Sequence, residues 1–333
     1  MNKKVTIFAV ALIVIGIIGT ISSSIAAVPF ATNYVKELEK EANEEVTIYE
    51  KKVNVSQVEI ETHQVNVEIR KSNSDKLKIV QLGKSNNKTF TIDNKDKIFS
   101  IKENYKNNDI NMHIQGFGDA ILEMMRMGPN KMIVYVPENV DIKVSTLGGS
   151  LIIDDRSIVL DNLEFNTSYG QIFLPNEIKS IKNLKLSSTD TISLKMSEIL
   201  GIENVNISSG YDVNIESTPN DVLIDNVENY IPKQLNIIGN DELMNVYIDS
   251  DIPVAKNLNI INKSGHVNID LPIDYYNIDF DLDSEQSINI DDNNDSNNQD
   301  NSIKEFKGRL SDTNKEGLNY TVNVKSQSID IRR

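Results

Sequence analysis

A short phrase recurs down the second half of this 333-residue chain at a nearly constant interval, and that interval restricts the fold more than any single residue does. It reads LEFNTSYGQIFLP from Leu163, LKLSSTDTISLKM from Leu184 and VNISSGYDVNIES from Val205, so successive copies start 21 residues apart. IKVSTLGGSLII starts at Ile142, again 21 residues before Leu163. Looser copies start at Leu235, Leu258 and Ile278, and a last one, YTVNVKSQSIDI, at Tyr320. A period of this length signifies one small supersecondary unit stacked many times.

Within each copy apolar and polar residues alternate, as in Leu163, Phe165 and then Ile172, Leu174, with a Ser/Thr/Gly cluster at 167–170 between the two runs. That pattern describes two short strands joined by a tight corner. One such unit buries too little apolar surface to offset the entropy of ordering its backbone, so the copies must stack in order to fold. The expected fold is all-β: a single-stranded, β-helix-like β-solenoid of stacked coils with every second side chain inside. About eight rungs at roughly 4.8 Å each would span on the order of 40 Å. Asn precedes the first apolar residue at Asn162, Asn183, Asn204, Asn257 and Asn277. Asn tolerates the left-handed conformation and hydrogen-bonds its neighbour along a stack, so these five are expected to form a structural ladder rather than a ligand site.

The repeated apolar-x-apolar-S/T-x-G-x-apolar-x-apolar phrase, the earlier run VNVEIRKSNSDKLKIV at 65–80 and MIVYVPENVDIKVSTLGGSLII at 132–153 resemble the DUF4097 family of β-strand repeat proteins, a putative-adhesin family. The resemblance covers residues 46–333. It implies a bacterial envelope protein, often found beside envelope-stress regulators, and it carries no catalytic residues that transfer to this chain. The chain departs from the family pattern where the linker before Leu235 lengthens and where an Asn/Asp tract interrupts the final coils.

Lys3 and Lys4 precede an uncharged apolar run over 5–28 that is long enough to span a bilayer. Positive charge stays inside, so the expectation is a single-pass protein of the cell membrane, an N-terminal transmembrane helix within 1–30 and the C-terminal bulk extracellular. The competing reading is a cleaved signal peptide, because Ser24 and Ala26 offer small residues for processing. Residues 31–45 are rich in helix formers and charge and read as a short helical stalk. The remainder divides into an N-terminal β-strand region and cap at 46–136 and the solenoid repeats at 137–333, with an acidic loop at 291–301. No cysteine is present, which excludes disulfides, thiolate metal sites and a lipid-modified cysteine anchor.

Net charge is −15, but it is unevenly spread. Over 70–106 there are ten Lys/Arg against four Asp/Glu, and over 207–301 nineteen Asp/Glu against three Lys. If coils follow sequence order, this division becomes a separation in space. The basic region at 70–106 is then a candidate contact for anionic lipid or wall polymer. Net acidity and an extracellular address disfavour nucleic acid.

Asp279, Asp281 and Asp283 alternate on one strand face and are weak calcium candidates; neither they nor the tract from Asp291 has the Gly and Glu spacing of an EF-hand loop. No cofactor is expected. The three histidines, His63, His113 and His266, fall in no metal-ligand spacing and read as isolated surface residues, with no Gly-x-Ser-x-Gly turn to present a nucleophile. Carbohydrate-cleaving β-helices are an enzyme alternative, but the adjacent Asp154 and Asp155 face opposite ways on a strand. There is no Trp to stack on sugars, although Tyr169 and Tyr211 lie near corners. Ile121, Leu122, Met124, Met125 and Met127 break the strand pattern and suggest either a cap on the first coil or an adaptable partner contact. The reading that results is a membrane-anchored, outward-facing interaction module of adhesin type without catalysis, with an envelope protein as a further candidate partner. Two alternatives stay open, a regulatory envelope-stress sensor and a polysaccharide-active enzyme.

Overall fold

The structure, a computed structural model, describes residues 36, 40, 43–82, 89–104, 130–176, 179–221, 225–239, 243–290, 303–310 and 318–332. Nearly all of them fall in one compact unit, Thr47–Gln81, Asn87–Asn107 and Lys131–Arg333. Of the other unit, Met1–Val46, Leu82–Asn86 and Asn108–Asn130, only residues 36, 40, 43–46, 82 and 130 are described. The apolar run at 5–28, the Met-rich residues Ile121, Leu122, Met124, Met125 and Met127, His113 and the acidic loop at 291–301 lie outside the described residues. Among the described residues no helix is long and apolar enough to cross a membrane.

Among the described residues the regular structure is almost entirely strand. Before the regular repeats come β1 (Glu45–Lys52), β2 (Gln57–Thr62), β3 (Asn66–Lys71), β4 (Lys76–Leu82), β5 (Thr89–Lys95), β6 (Ile98–Asn104) and β7 (Lys131–Val136). The repeats contribute β8 (Asp141–Thr146) and β9 (Leu151–Ile153), β10 (Val159–Thr167) and β11 (Ile172–Phe173), and β12 (Ser180–Ser188) and β13 (Ile192–Lys195), the last followed by a one-turn helix α1 (Met196–Ile199). Then come β14 (Asn204–Ser209) and β15 (Val213–Glu216), β16 (Gln234–Gly239) and β17 (Val246–Asp249), β18 (Asn257–Asp270), β19 (Asn277–Ile290), β20 (Ile303–Gly308) and β21 (Asn319–Arg332).

Each repeat supplies one strand to each of two walls. In the first wall the order is β5-β6-β2-β8-β10-β12-β14-β16-β18-β21-β19-β20. From β6 to β19 every pairing is parallel, and Leu163 stands opposite Ile142 and Leu184, Leu184 opposite Val205, Val205 opposite Leu235 and Leu235 opposite Leu258. The first apolar residues of successive copies therefore form one buried column, and a single apolar cluster runs from Val58 to Ile331. The second wall holds β1-β4-β7-β3-β9-β11 and, separately, β13-β15-β17 leading to the distal half of β18. At each corner a small hydroxyl holds the turn. Gly149 and Gly170 N–H donate to Thr146 and Thr167 Oγ1 at 2.8 and 2.7 Å, and Asp190 and Tyr211 N–H donate to Ser188 and Ser209 Oγ at 3.0 and 3.2 Å.

Rung order departs from sequence order at both ends. β2 lies between β6 and β8, so the strands before residue 137 belong to the same stack as the repeats rather than to a separate region. The C-terminal strand β21 lies between β18 and β19 instead of after β19. Each end of the first wall is closed by an antiparallel strand, β5 on β6 and β20 on β19. Asp96 and Lys97, both at positive φ (54° and 66°), make the two-residue turn that sends β5 back against β6. Both closing strands are polar, a composition that discourages addition of further strands.

Asn183 Nδ2 donates to Asn162 Oδ1, Asn204 Nδ2 to Asn183 Oδ1 and Asn162 Nδ2 to Asp141 Oδ1, each at 2.8 Å. Gln234 occupies the next rung, and Asn257 turns to the Lys233 carbonyl at 3.1 Å while accepting from Thr321 Oγ1 at 2.7 Å. Asn277 is a correction: it is buried opposite Asn319, two residues before the row, whose position in β19 is held by Asp279. Alternation of period two repeats itself every two residues, so it does not distinguish these registers. A second amide row, Asn206, Asn236, Asn259 and Asn323, escaped the sequence reading, although its bonds are as short at 2.8–2.9 Å.

Asn183→Leu removes two side-chain hydrogen bonds at the centre of the first row. At about 1 kcal/mol each, the loss lowers the melting temperature by a few degrees. A thermal melt followed by circular dichroism checks this, and an unchanged midpoint would mean that the row carries no stability.

Candidate functional site: a break in the second wall

The second wall is interrupted between β11 and β13. β11 pairs with β9 and β13 with β15, while β10 and β12, one corner upstream, stay paired from Val159–Ser180 to Thr167–Ser188. The corners explain the break. A Cβ on Gly149 would lie 2.1 Å from the Val65 carbonyl oxygen, and one on Gly170 would lie 1.9 Å from the Gly149 carbonyl oxygen, so only glycine lets these corners nest. One period after Gly170 stands Thr191. Its Cβ forbids the same approach, and the corner turns through the Ser188–Asp190 bond instead. Pro175, two residues after β11 ends, has no N–H with which to extend the pairing.

The opening is a cavity of about 770 Å³, a size ordinary for a ligand site. Phe165 and Leu186 form its floor, and Tyr169, Phe173 and Tyr247 stand around it with Asp190, Glu216 and Asp249. Tyr169 is 69% and Phe173 49% exposed, unusual for rings flanking a core. Where the ladder is missing, Glu198 of α1 joins the two sides: Oε2 accepts the Lys195 N–H at 2.7 Å and the carboxylate also takes the Leu174 N–H. Burial raises the Glu198 pKa, opposed by those two N–H groups and by Lys179 and Lys195.

From the cavity a row of charges continues along the second wall, with Lys195, Glu216, Asp249, Asp270 and Arg332 on successive rungs. Three carboxylates thus lie one rung apart, about 4.8 Å. Asp270 has its pKa raised, first by burial and then by Asp249 and Asp251, with Arg332 opposing.

The other candidate residues are placed as follows. Asp279 meets Arg309 (2.6 Å), Asp281 meets Lys307 (2.8 Å) and Asp283 meets Lys325 (3.4 Å). Each carboxylate faces its own cation, and among the described residues no group of three acids or histidines is arranged to hold a metal ion. Asp154 and Asp155 do not converge; Asp155 caps the Ser157 N–H at 2.9 Å and accepts the Lys71 N–H at 3.0 Å. His63 donates its backbone N–H to Glu103 at 2.7 Å. His266 is not isolated, a second correction: Nδ1 lies 2.7 Å from Ser328 Oγ and Nε2 2.9 Å from Asp330 Oδ2. Parallel stacking brings these residues together across 62 positions of sequence. Ser328 lies in β21 between His266 of β18 and Ser287 of β19, directly after the register shift at that corner. In the basic region, Arg70, Lys71, Lys76 and Lys102 pair with Glu68, Glu138, Glu50 and Glu61, carboxylates that the sequence window did not include.

The family model for Toastrack DUF4097 matches residues 55–332, which takes in both walls and the break. The chain belongs to the Toastrack DUF4097 family. No curated protein matches it. Among solved structures it is similar to a putative adhesin of Parabacteroides distasonis at 7% identity and a TM-score of 0.44, covering 88% of this chain and 98% of that one. It is also similar to a putative lipid binding protein of the same species (12% identity, TM-score 0.40, 87% and 96% covered) and to a putative adhesin of Bacteroides fragilis (8%, 0.38, 88% and 99%).

The acidic row of this Toastrack chain has a pH signature. A raised carboxylate pKa means that the folded state holds the proton more tightly than the unfolded chain, so the penalty is full above the folded pKa and fades as pH falls through it. Asp270→Asn therefore raises the melting temperature at pH 7.5, and the gain shrinks as pH is lowered through the carboxylate range to about 4. Parallel melts of the two proteins across that range test this; a gain independent of pH would assign it to something other than charge.

Proposed function

We propose that this Toastrack protein is an interaction module of the cell envelope. It is anchored in the cell membrane by the apolar run at 5–28, with its repeats outside the cell, and it acts in the manner of an adhesin by presenting a binding surface without catalysing a reaction. One observation carries this reading. Among the described residues the second wall is interrupted between β11 and β13 beside a continuous core, and the opening is lined by exposed Tyr169, Phe173 and Tyr247. Stability alone gives no reason to expose large rings around a gap, whereas a concave opening that sets aromatic side chains among hydroxyls, amides and carboxylates offers both stacking faces and hydrogen-bonding groups to a ligand. The His266 ring and the carboxylates of Asp279, Asp281 and Asp283 each have a side-chain partner.

The test is photo-crosslinking in intact cells with a photoreactive amino acid in place of Phe173, and in place of Thr91 on the exposed closing strand β5 as control. Adducts are expected from position 173 and not from 91. No adduct, or equal yields from both positions, would remove the module reading at this site. Capture of a membrane regulatory protein would move it toward the envelope sensor.

A further inference from the structure

Tyr169, Asp190 and Tyr211 occupy the same place in three consecutive copies, 21 residues apart, and all three are exposed. The corners that carry them are stacked in contact. Thr189 Oγ1 donates to the Ser168 carbonyl at 2.9 Å, Gly210 N–H donates to the Ser188 carbonyl at 2.9 Å, and a Cβ on Gly210 would lie 3.1 Å from the Thr189 carbonyl oxygen. The two tyrosines are therefore two rungs apart, about 9.6 Å, with one carboxylate on the rung between them. From this we infer that the corner ridge Tyr169–Asp190–Tyr211 is a binding platform for a linear glycan of uncharged pyranose units, each tyrosine stacking on a sugar ring and Asp190 accepting hydroxyl hydrogen bonds from the residue between.

Three features select this ligand class. First, two rung spacings, about 9.6 Å, are close to the length of one disaccharide unit in an extended β-1,4-linked chain, so alternate sugars can present their C–H faces to successive tyrosines. Second, the backbone N–H groups of the ridge are already engaged: Tyr169 N–H donates to the Leu147 carbonyl at 3.0 Å, Asp190 N–H to Ser188 Oγ at 3.0 Å and Tyr211 N–H to Ser209 Oγ at 3.2 Å. An added peptide strand needs main-chain donors and acceptors, and the ridge offers side chains in their place. Third, charge excludes anionic polymers and anionic membrane, since the central group is a carboxylate on a protein of net charge −15. Asp190 Oδ1 accepts the Thr191 N–H at 2.8 Å, which fixes the direction of the carboxylate before any ligand arrives. Tyr169 also lines the break in the second wall, so the ridge meets the cavity at that residue.

This inference rests on the reading of the protein as a binding module and names the ligand. Its test is calorimetric titration of the full-length protein in detergent with cellohexaose and chitohexaose, and with their disaccharides. At least one hexasaccharide is expected to bind, ten-fold or more tightly than its disaccharide, which is too short to engage both rings. Tyr169→Ala and Tyr211→Ala are each expected to weaken the hexasaccharide at least ten-fold, and Tyr169→Phe to retain binding. Because both rings are exposed, unchanged melting curves should show that the variants fold. Absence of binding to both hexasaccharides, equal affinity for the disaccharide, or indifference to both alanine variants would overturn the inference. Crosslinked adducts from position 173 combined with no glycan binding would leave the module reading standing and remove the glycan alone.

Discussion

Parallel backbone pairing between consecutive rungs is the interaction on which the rest of this protein depends. A strand such as β9 or β11, three and two residues long, buries too little to be ordered by itself. It is held because its neighbours above and below offer the same hydrogen-bonding edge and an inward side chain at the same height. Register then propagates. Once Leu163 stands on Ile142, the amides outside and the hydroxyls at the corners fall into rows of their own, and those rows add bonds that no isolated coil could make. An open stack leaves two bare edges in its first wall, and the chain closes both with antiparallel polar strands.

The candidate site arises where this regularity fails. Under β9 and β11 the corners nest through Gly149 and Gly170 at a distance that excludes a side chain, and one period after Gly170 stands Thr191 instead of a glycine. Beyond that point the first wall continues without change, while the second wall loses one pairing and opens. The interruption costs ladder hydrogen bonds, only part of which Glu198 replaces by accepting N–H groups from both sides. Rings that would be lateral decoration on an unbroken wall become the surround of a cavity, and Tyr169 is shared between that cavity and the corner ridge.

Charge is rearranged by the same topology. The acidic excess over 207–301 suggests an uncompensated negative end, yet β21 carries Lys325 to Asp283 and Arg332 to Asp270, and the β20 segment brings Lys307 and Arg309 to Asp281 and Asp279. At the other end, carboxylates of β1, β2 and β3 meet the cations of the basic region. The polarity visible along the sequence is reduced by strands that arrive out of order. A local excess remains in the row beside the cavity, where Glu216, Asp249 and Asp270 stand on successive rungs between Lys195 and Arg332.

The repeat length, the alternation within each copy and the corner clusters were enough to establish stacked two-strand coils with an apolar interior, because a side-chain period of two and a coil period of 21 are properties of the chain itself. The recurrence of Tyr169, Asp190 and Tyr211 was equally readable as a spacing, and so were two steps of the amide row, Asn162 to Asn183 and Asn183 to Asn204. The rung order at the two ends was not: any strand with the right alternation can pair with any other, and only the competition among edges seats β2 against β8 and β21 between β18 and β19. The two-residue offset of Asn277, the meeting of His266 with Ser328 and Asp330, and the neutralised aspartates of β19 all follow from that seating. The break between β11 and β13 was likewise decided in three dimensions, since the close approach that Gly170 makes to the Gly149 carbonyl oxygen is visible only once the corners are stacked.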